Sequence, residues 1–155
     1  MKKWVVYLIN ILIPLGVGGL SAYVTMQGME GFDAVNKSAL NPPNIVFPIA
    51  WTILYTLMGI SMAMVYTSEG TITNKSYSII FYALNLAFNF CWSLIFFNIK
   101  AYLLALVWIL ILIALVVVMI YYFKKCKPLA AYLQFPYLLW LIFATYLTYS
   151  VYVLN

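Results

Sequence analysis

The chain has 155 residues, of which 67% are hydrophobic and 7% charged, against roughly 45–50% and 25% in soluble domains. A soluble fold of this length has too little interior for so much apolar surface, so the surrounding solvent is lipid. The charges are eight lysines and three acids (Glu30, Asp33 and Glu69), for a net +5, with no histidine and no arginine. That excludes histidine-based metal sites, serine–histidine catalysis and arginine clamps on phosphate.

Five stretches are long and apolar enough to cross a bilayer. The first covers residues 4–26. Its apolar run is too long for a cleaved signal, and no small-residue cleavage site precedes the next span. A long connection follows at 27–45, with Gly28, Gly31, Pro42 and Pro43 among mixed charges; connections of this length are lids or disordered segments. The second span is 46–67. On it Trp51, Tyr55, Met58 and Gly59 share a face, and Gly59 and Ala63 form a small-xxx-small pair of the kind that lets helices approach closely. After a polar turn at 68–76 comes the third span, 77–98. Asn85 and Asn89 are four apart, with Trp92 and Phe96 continuing the stripe. This stripe is either interhelical hydrogen-bond glue or a pocket wall offering amides to a ligand. Ala83 and Ala87 make a second small pair, a candidate homodimer contact.

A tight joint at 99–100 leads to the fourth span, 101–123. Another joint, at 124–128, leads to the fifth, 129–154. On the fifth, Trp140, Ala144, Leu147 and Thr148 share a face, and Pro136 one turn earlier predicts a kink beside them. Indole planes next to a small residue make a slot for a flat apolar ligand, or ordinary packing. The expected fold is an all-α membrane protein, one domain over 1–155, built as a five-helix transmembrane bundle. Cys91 and Cys126 set no disulfide or metal framework. Lys2, Lys3, Lys75, Lys124, Lys125 and Lys127 fall on one side, and Lys37 and Lys100 on the other. The positive-inside rule then puts the N-terminus in the cytoplasm and the C-terminus outside, across the plasma membrane if the source is bacterial. The lysines form no stripe with interleaved aromatics, so anionic headgroups rather than nucleic acid explain the charge.

Three separated motifs, in order, resemble the translocator-protein family, also called tryptophan-rich sensory proteins or peripheral-type benzodiazepine receptors, and the chain looks like a bacterial member. They are NPP at 41–43 with FPIAWTILYTLMG at 47–59, ALNLAFNFCWSLIFF at 83–97, and KPLAAYLQFPYLLWLIFATYLTY at 127–149. The resemblance implies a bundle, often dimeric, that binds protoporphyrin-type tetrapyrroles and synthetic isoquinoline carboxamide or benzodiazepine ligands. It also implies, for some members, light-dependent oxidative breakdown of porphyrin. The family's pocket tryptophans fall on Trp51 and Trp140, which are the candidates for any catalytic part. Asn89, Trp92, Ala144 and Leu147 match further binding positions. Tyr55 and Asn85, from the two inward stripes, and Pro42 and Phe47, from the first motif, complete the candidate ligand-binding set. No metal ligand and no required cofactor is implied; porphyrin is ligand or substrate. Val153 stands where the mammalian sterol-recognition pattern has a basic residue, so specific sterol binding is not expected. The alternative is a transporter or facilitator of porphyrins or lipophilic compounds. No acid or lysine falls mid-span, which counts against ion coupling.

Overall fold

The computed structural model describes residues 2–32 and 34–155; Met1 and Asp33, one of the three acids, lie outside the described residues. Every described element is helical, as backbone in hydrocarbon must satisfy its own polar groups. Five segments are long and apolar enough to span a membrane: Lys3–Val24, Val46–Tyr66, Ile72–Ile99, Tyr102–Cys126 and Pro128–Leu154. The protein is a multi-pass integral membrane protein.

Helix α1 (Lys3–Val24) carries Pro14 in its interior. Proline lacks the N–H that the Asn10 carbonyl would receive in an unbroken helix. Helix α2 (Met26–Phe32) occupies the start of the connection expected to be a loop over 27–45. The difference has a local cause. A Cβ on Gly28 would stand 2.5 Å from the Phe97 carbonyl oxygen, so glycine lets α2 lie directly on the end of the third span. Asn98 secures the junction, its Nδ2 donating to the Val24 carbonyl at 2.9 Å.

Helix α3 (Val46–Tyr66) tolerates Pro48 because it lies in the first turn, where amides have no helical acceptor. Helix α4 (Ile72–Ser93) begins before the predicted boundary. Thr71 caps it by accepting from the Asn74 amide at 3.2 Å, and its first turns are polar. The span then winds as a π-helix over Leu94–Ile99 and stops at Lys100, which takes the left-handed conformation (φ 58°). Helix α5 (Tyr102–Cys126) runs back through the core.

The fifth span is two helices, α6 (Pro128–Tyr132) and α7 (Phe135–Leu154). The predicted kink at Pro136 is therefore a break at Leu133 and Gln134. Pro136 sits in the first turn of α7, where a backbone N–H has no helical acceptor to lose.

In the bundle α1 packs on α3, and α5 packs on both α4 and α7. Helix α3 approaches α6 closely but α7 hardly at all, so the α3–α7 seam is splayed. The interior is filled by Met58, Ala63, Val65, Val116, Met119 and Phe123, all fully buried. Large apolar side chains such as Leu12, Leu20 and Leu139 face outward, as a lipid solvent requires. Of the two small pairs, Gly59 and Ala63 are buried within the chain, whereas Ala83 and Ala87 are exposed on α4.

Candidate functional site

A cavity of about 500 Å³ lies between α1, α3, the end of the third span and α7, beneath α2 and the connection that follows it. This is within the roughly 300–1,000 Å³ of small-molecule pockets. Its walls are aromatic. Trp51 stacks on Tyr55 with centroids 5.4 Å apart, and meets Trp140 edge-on at 6.2 Å. Trp140 in turn meets Phe47 edge-on at 6.0 Å. On the opposite side Trp92 stacks on Phe96 at 5.1 Å, and Phe32 of α2 touches both Phe96 and Phe97 at 5.5 Å. Ala144, Leu147 and Thr148 supply a stretch of α7 wall on which no aromatic stands.

Among the described residues, none that lines the cavity is charged. Several of its hydroxyls are already committed: Thr52 donates to the Pro48 carbonyl and Thr148 to the Ala144 carbonyl, both at 2.7 Å. Two donors are not. The indole N–H groups of Trp92 and Trp140 are buried and have no partner among the described residues. A buried donor without an acceptor costs ~1–3 kcal/mol, and both N–H groups are closed off from water, so a ligand oxygen that reaches either one after a side-chain shift gains by binding.

Of the residues singled out from the sequence, Phe47, Trp51, Tyr55, Trp92, Trp140, Ala144 and Leu147 come together on this cavity. Asn85 and Asn89 do not line it. They face inward but turn toward α7: Asn89 Nδ2 donates to the Tyr137 hydroxyl at 3.0 Å, and that hydroxyl donates to Asn85 Oδ1 at 2.5 Å. Of the two readings of their stripe, interhelical glue describes these amides and pocket wall describes Trp92 and Phe96. Their effect still reaches the cavity, because the Tyr137 ring packs edge-on against Trp51 at 6.3 Å. Pro42 also lies off the wall, while its neighbours Asn41 and Asn44 are on it.

Sequence reasoning passed over the contribution of α1, which brings Leu15, Gly18, Gly19, Ser21 and Ala22 to the wall. The small residues Gly18, Gly19, Ser21 and Ala22, unusual in an otherwise bulky span, carry that signal. Gly18 makes room for the Tyr55 ring, whose Cε2 would be 2.5 Å from a Cβ there.

The connection above the cavity is tied down. Asn36 and Asn155 bond reciprocally, Asn155 Nδ2 donating to the Asn36 carbonyl at 2.9 Å and the Asn36 amide donating to Asn155 Oδ1 at 3.2 Å. Ser38 shares a 2.8 Å hydrogen bond with the Tyr146 hydroxyl of α7. Lys37 places its ammonium 4.5 Å from the Phe32 ring centroid, close to the cavity's aromatic rim.

A sequence profile described as the TspO/MBR family matches residues 10–154. The chain belongs to that family. It is 35% identical over 148 residues to a protein of Archaeoglobus fulgidus named tryptophan-rich protein TspO, covering 94% of each chain. It is 36% identical over 126 residues to the tryptophan-rich sensory protein of Cereibacter sphaeroides, covering 81% of this chain and 77% of that one. The human translocator protein is 33% identical over 132 residues, covering 84% of this chain and 78% of the human one. Family membership agrees with the motifs at 41–59, 83–97 and 127–149, whose tryptophans Trp51, Trp92 and Trp140 all face the cavity.

Proposed function

We propose that this TspO/MBR family member is a membrane receptor for protoporphyrin-type tetrapyrroles, with the same cavity accepting synthetic isoquinoline carboxamide and benzodiazepine-type ligands. One observation carries the reading: an aromatic cavity with no charged lining residue among the described residues, on which two buried indole N–H groups have no protein partner. Flat apolar rings gain by stacking on such walls. Carbonyl or carboxylate oxygens on the ligand relieve the unpaired donors. Metal-free porphyrin suits the site better than haem, since with no histidine in the chain axial ligation of iron would fall to Cys, Met or Tyr. No cofactor is needed for binding.

If light-dependent breakdown occurs, a bound porphyrin supplies the light absorption and the activation of oxygen. The chain's part is to hold the macrocycle against Trp51 and Trp140, to orient it through the Trp92 and Trp140 N–H groups, and to restrict water beneath the tied-down connection. Titrating the purified protein with protoporphyrin, in the dark and then under illumination in air, tests both levels. Saturable binding is expected in the dark. Trp51→Phe and Trp140→Phe are expected to retain most binding yet slow the illuminated loss of porphyrin at equal occupancy. Equal loss rates in wild type and the double variant would remove the catalytic part; failure of wild type to bind would remove the receptor reading.

Lys37 is placed to meet a propionate at the rim. Lys37→Ala is expected to weaken protoporphyrin about two- to fivefold, the scale of one exposed ion pair, and to leave protoporphyrin dimethyl ester unaffected. A parallel loss for the ester would sink the pairing. We further propose that Ala83 and Ala87, small and exposed on α4, form the contact of a homodimer. Lysine bias supports a cytoplasmic N-terminus and an external C-terminus.

A further inference from the structure

The cavity wall between α3 and α7 differs from the others. Along the α1–α3, α4–α5 and α5–α7 seams the helices approach closely; here α3 meets α6, and α7, restarted after the break at Leu133 and Gln134, hardly approaches it. The seam is closed by side chains. On its outer side lies a shallow groove lined by Ala50, Ile53 and Leu54 of α3 and by Pro136, Leu139 and Phe143 of α7, with Trp140 at its base. Ala50 and Pro136 are too small to fill it. Trp140 also lines the internal cavity, so one indole divides the two spaces.

The groove has a definite environment. Ala50–Leu54 lie four to eight residues inside the α3 span, about 6–12 Å along the helix, and Ile53 and Leu139 are exposed. At that depth the neighbouring solvent is acyl chain. Apart from the Trp140 indole, the groove is lined, among the described residues, wholly by apolar side chains, so these offer nothing to a headgroup or a sterol hydroxyl.

We propose that the α3–α7 groove holds a single acyl chain of a bilayer lipid against the outer face of Trp140, and that it is the membrane-side portal of the cavity, with Trp140 as the partition that swings aside. The acyl-chain site stands by itself; the portal rests on the receptor reading. A ligand dissolved in the bilayer thus reaches the aromatic walls without crossing the tied-down connection at Asn36 and Ser38.

The test places the full chain in nanodiscs of phosphatidylcholine brominated midway along its acyl chains, which quench indoles they touch. The emission contributed by Trp140, taken as wild type minus Trp140→Phe, is expected to be lost in brominated lipid. It is expected to be restored by Ala50→Phe and by Ile53→Phe, which fill the groove without lining the cavity. Ile49→Phe, exposed on the same helix but outside the groove, should restore nothing. Absence of Trp140 quenching, or quenching indifferent to both filling variants, overturns the site. For the portal, protoporphyrin preloaded into vesicle membranes is followed by stopped flow. Most substitutions at binding surfaces act on dissociation alone. A filled portal instead slows association and dissociation together, by about tenfold each, with Kd moving by less than about twofold. Unchanged rates in both filling variants overturn the portal. If wild type binds no protoporphyrin, the receptor reading and the portal fail together, and the quenching still decides the acyl-chain site.

Discussion

Gly59→Leu is expected to be among the most damaging single substitutions in the chain. A Cβ at position 59 would stand 2.5 Å from the Ile11 Cα and 2.9 Å from the Asn10 carbonyl carbon, and it would meet the Asn10 carbonyl oxygen as well. All of these are backbone atoms, so no side-chain rotation relieves the clash. The carbonyl concerned is the one that Pro14 leaves without its helical donor. Glycine allows the α3 backbone to approach that oxygen, and its Cα–H groups are the nearest available compensation. Helix association in lipid rests on such close packing, because hydrocarbon gives apolar surfaces no reason to leave it. A leucine therefore separates α1 from α3. Overpacking costs ~1–3 kcal/mol where neighbours can yield, and with only backbone to yield, a loss of about 4 kcal/mol is expected. Since α1 forms one wall of the cavity, porphyrin binding should be lost in step with thermal stability in detergent. Gly16→Ala is the control. Nothing lies within 4 Å of a Cβ there, and alanine improves helix propensity by up to about 1 kcal/mol. Equal melting temperatures for Gly59→Leu and wild type would show that the α1–α3 contact does not hold the bundle.

The spans were legible because hydropathy over some twenty residues is a sum, which single misreadings barely move. The expected 46–67 and 129–154 match Val46–Tyr66 and Pro128–Leu154 within a residue. Hydropathy places the start of the third span at 77 and the helix starts at Ile72, because a helix end that leaves the hydrocarbon is polar and Thr71 caps it. Helix α2 carries two glycines in seven residues, a composition that points to loop. Glycine disfavours helix in isolation; packing on the Phe97 carbonyl overrides that preference, and no local pattern reports it. The inward faces were legible too, since periodicity tells which residues share a stripe. What lies opposite a stripe was not. Asn85, Asn89 and Trp92 read as one surface, yet the amides meet Tyr137 and the indole meets the cavity. The π-helical stretch that brings Phe96 and Phe97 to the wall likewise has no signature in composition.

Ala144→Phe should give the opposite pairing of effects to Gly59→Leu: binding abolished, stability kept. Ala144 is nearly buried and lines the cavity between Trp140 and Leu147. Because Ala144 lines the cavity, a phenyl ring there has the cavity to occupy. Filling an internal cavity adds dispersion contacts with the aromatic walls and commonly stabilises by ~0.5–2 kcal/mol. The melting temperature should hold or rise. The same ring takes the room a macrocycle needs to lie against Trp51 and Trp140, and it stands between a ligand oxygen and the Trp140 N–H. Protoporphyrin affinity is expected to fall at least about a hundredfold, or ~2.7 kcal/mol. Small ligands are less excluded, so a compact isoquinoline carboxamide should lose less than the tetrapyrrole. The two variants together separate architecture from occupancy, since Gly59→Leu removes the wall and Ala144→Phe removes the space. Undiminished protoporphyrin binding by a stable Ala144→Phe protein would place the ligand somewhere other than this cavity.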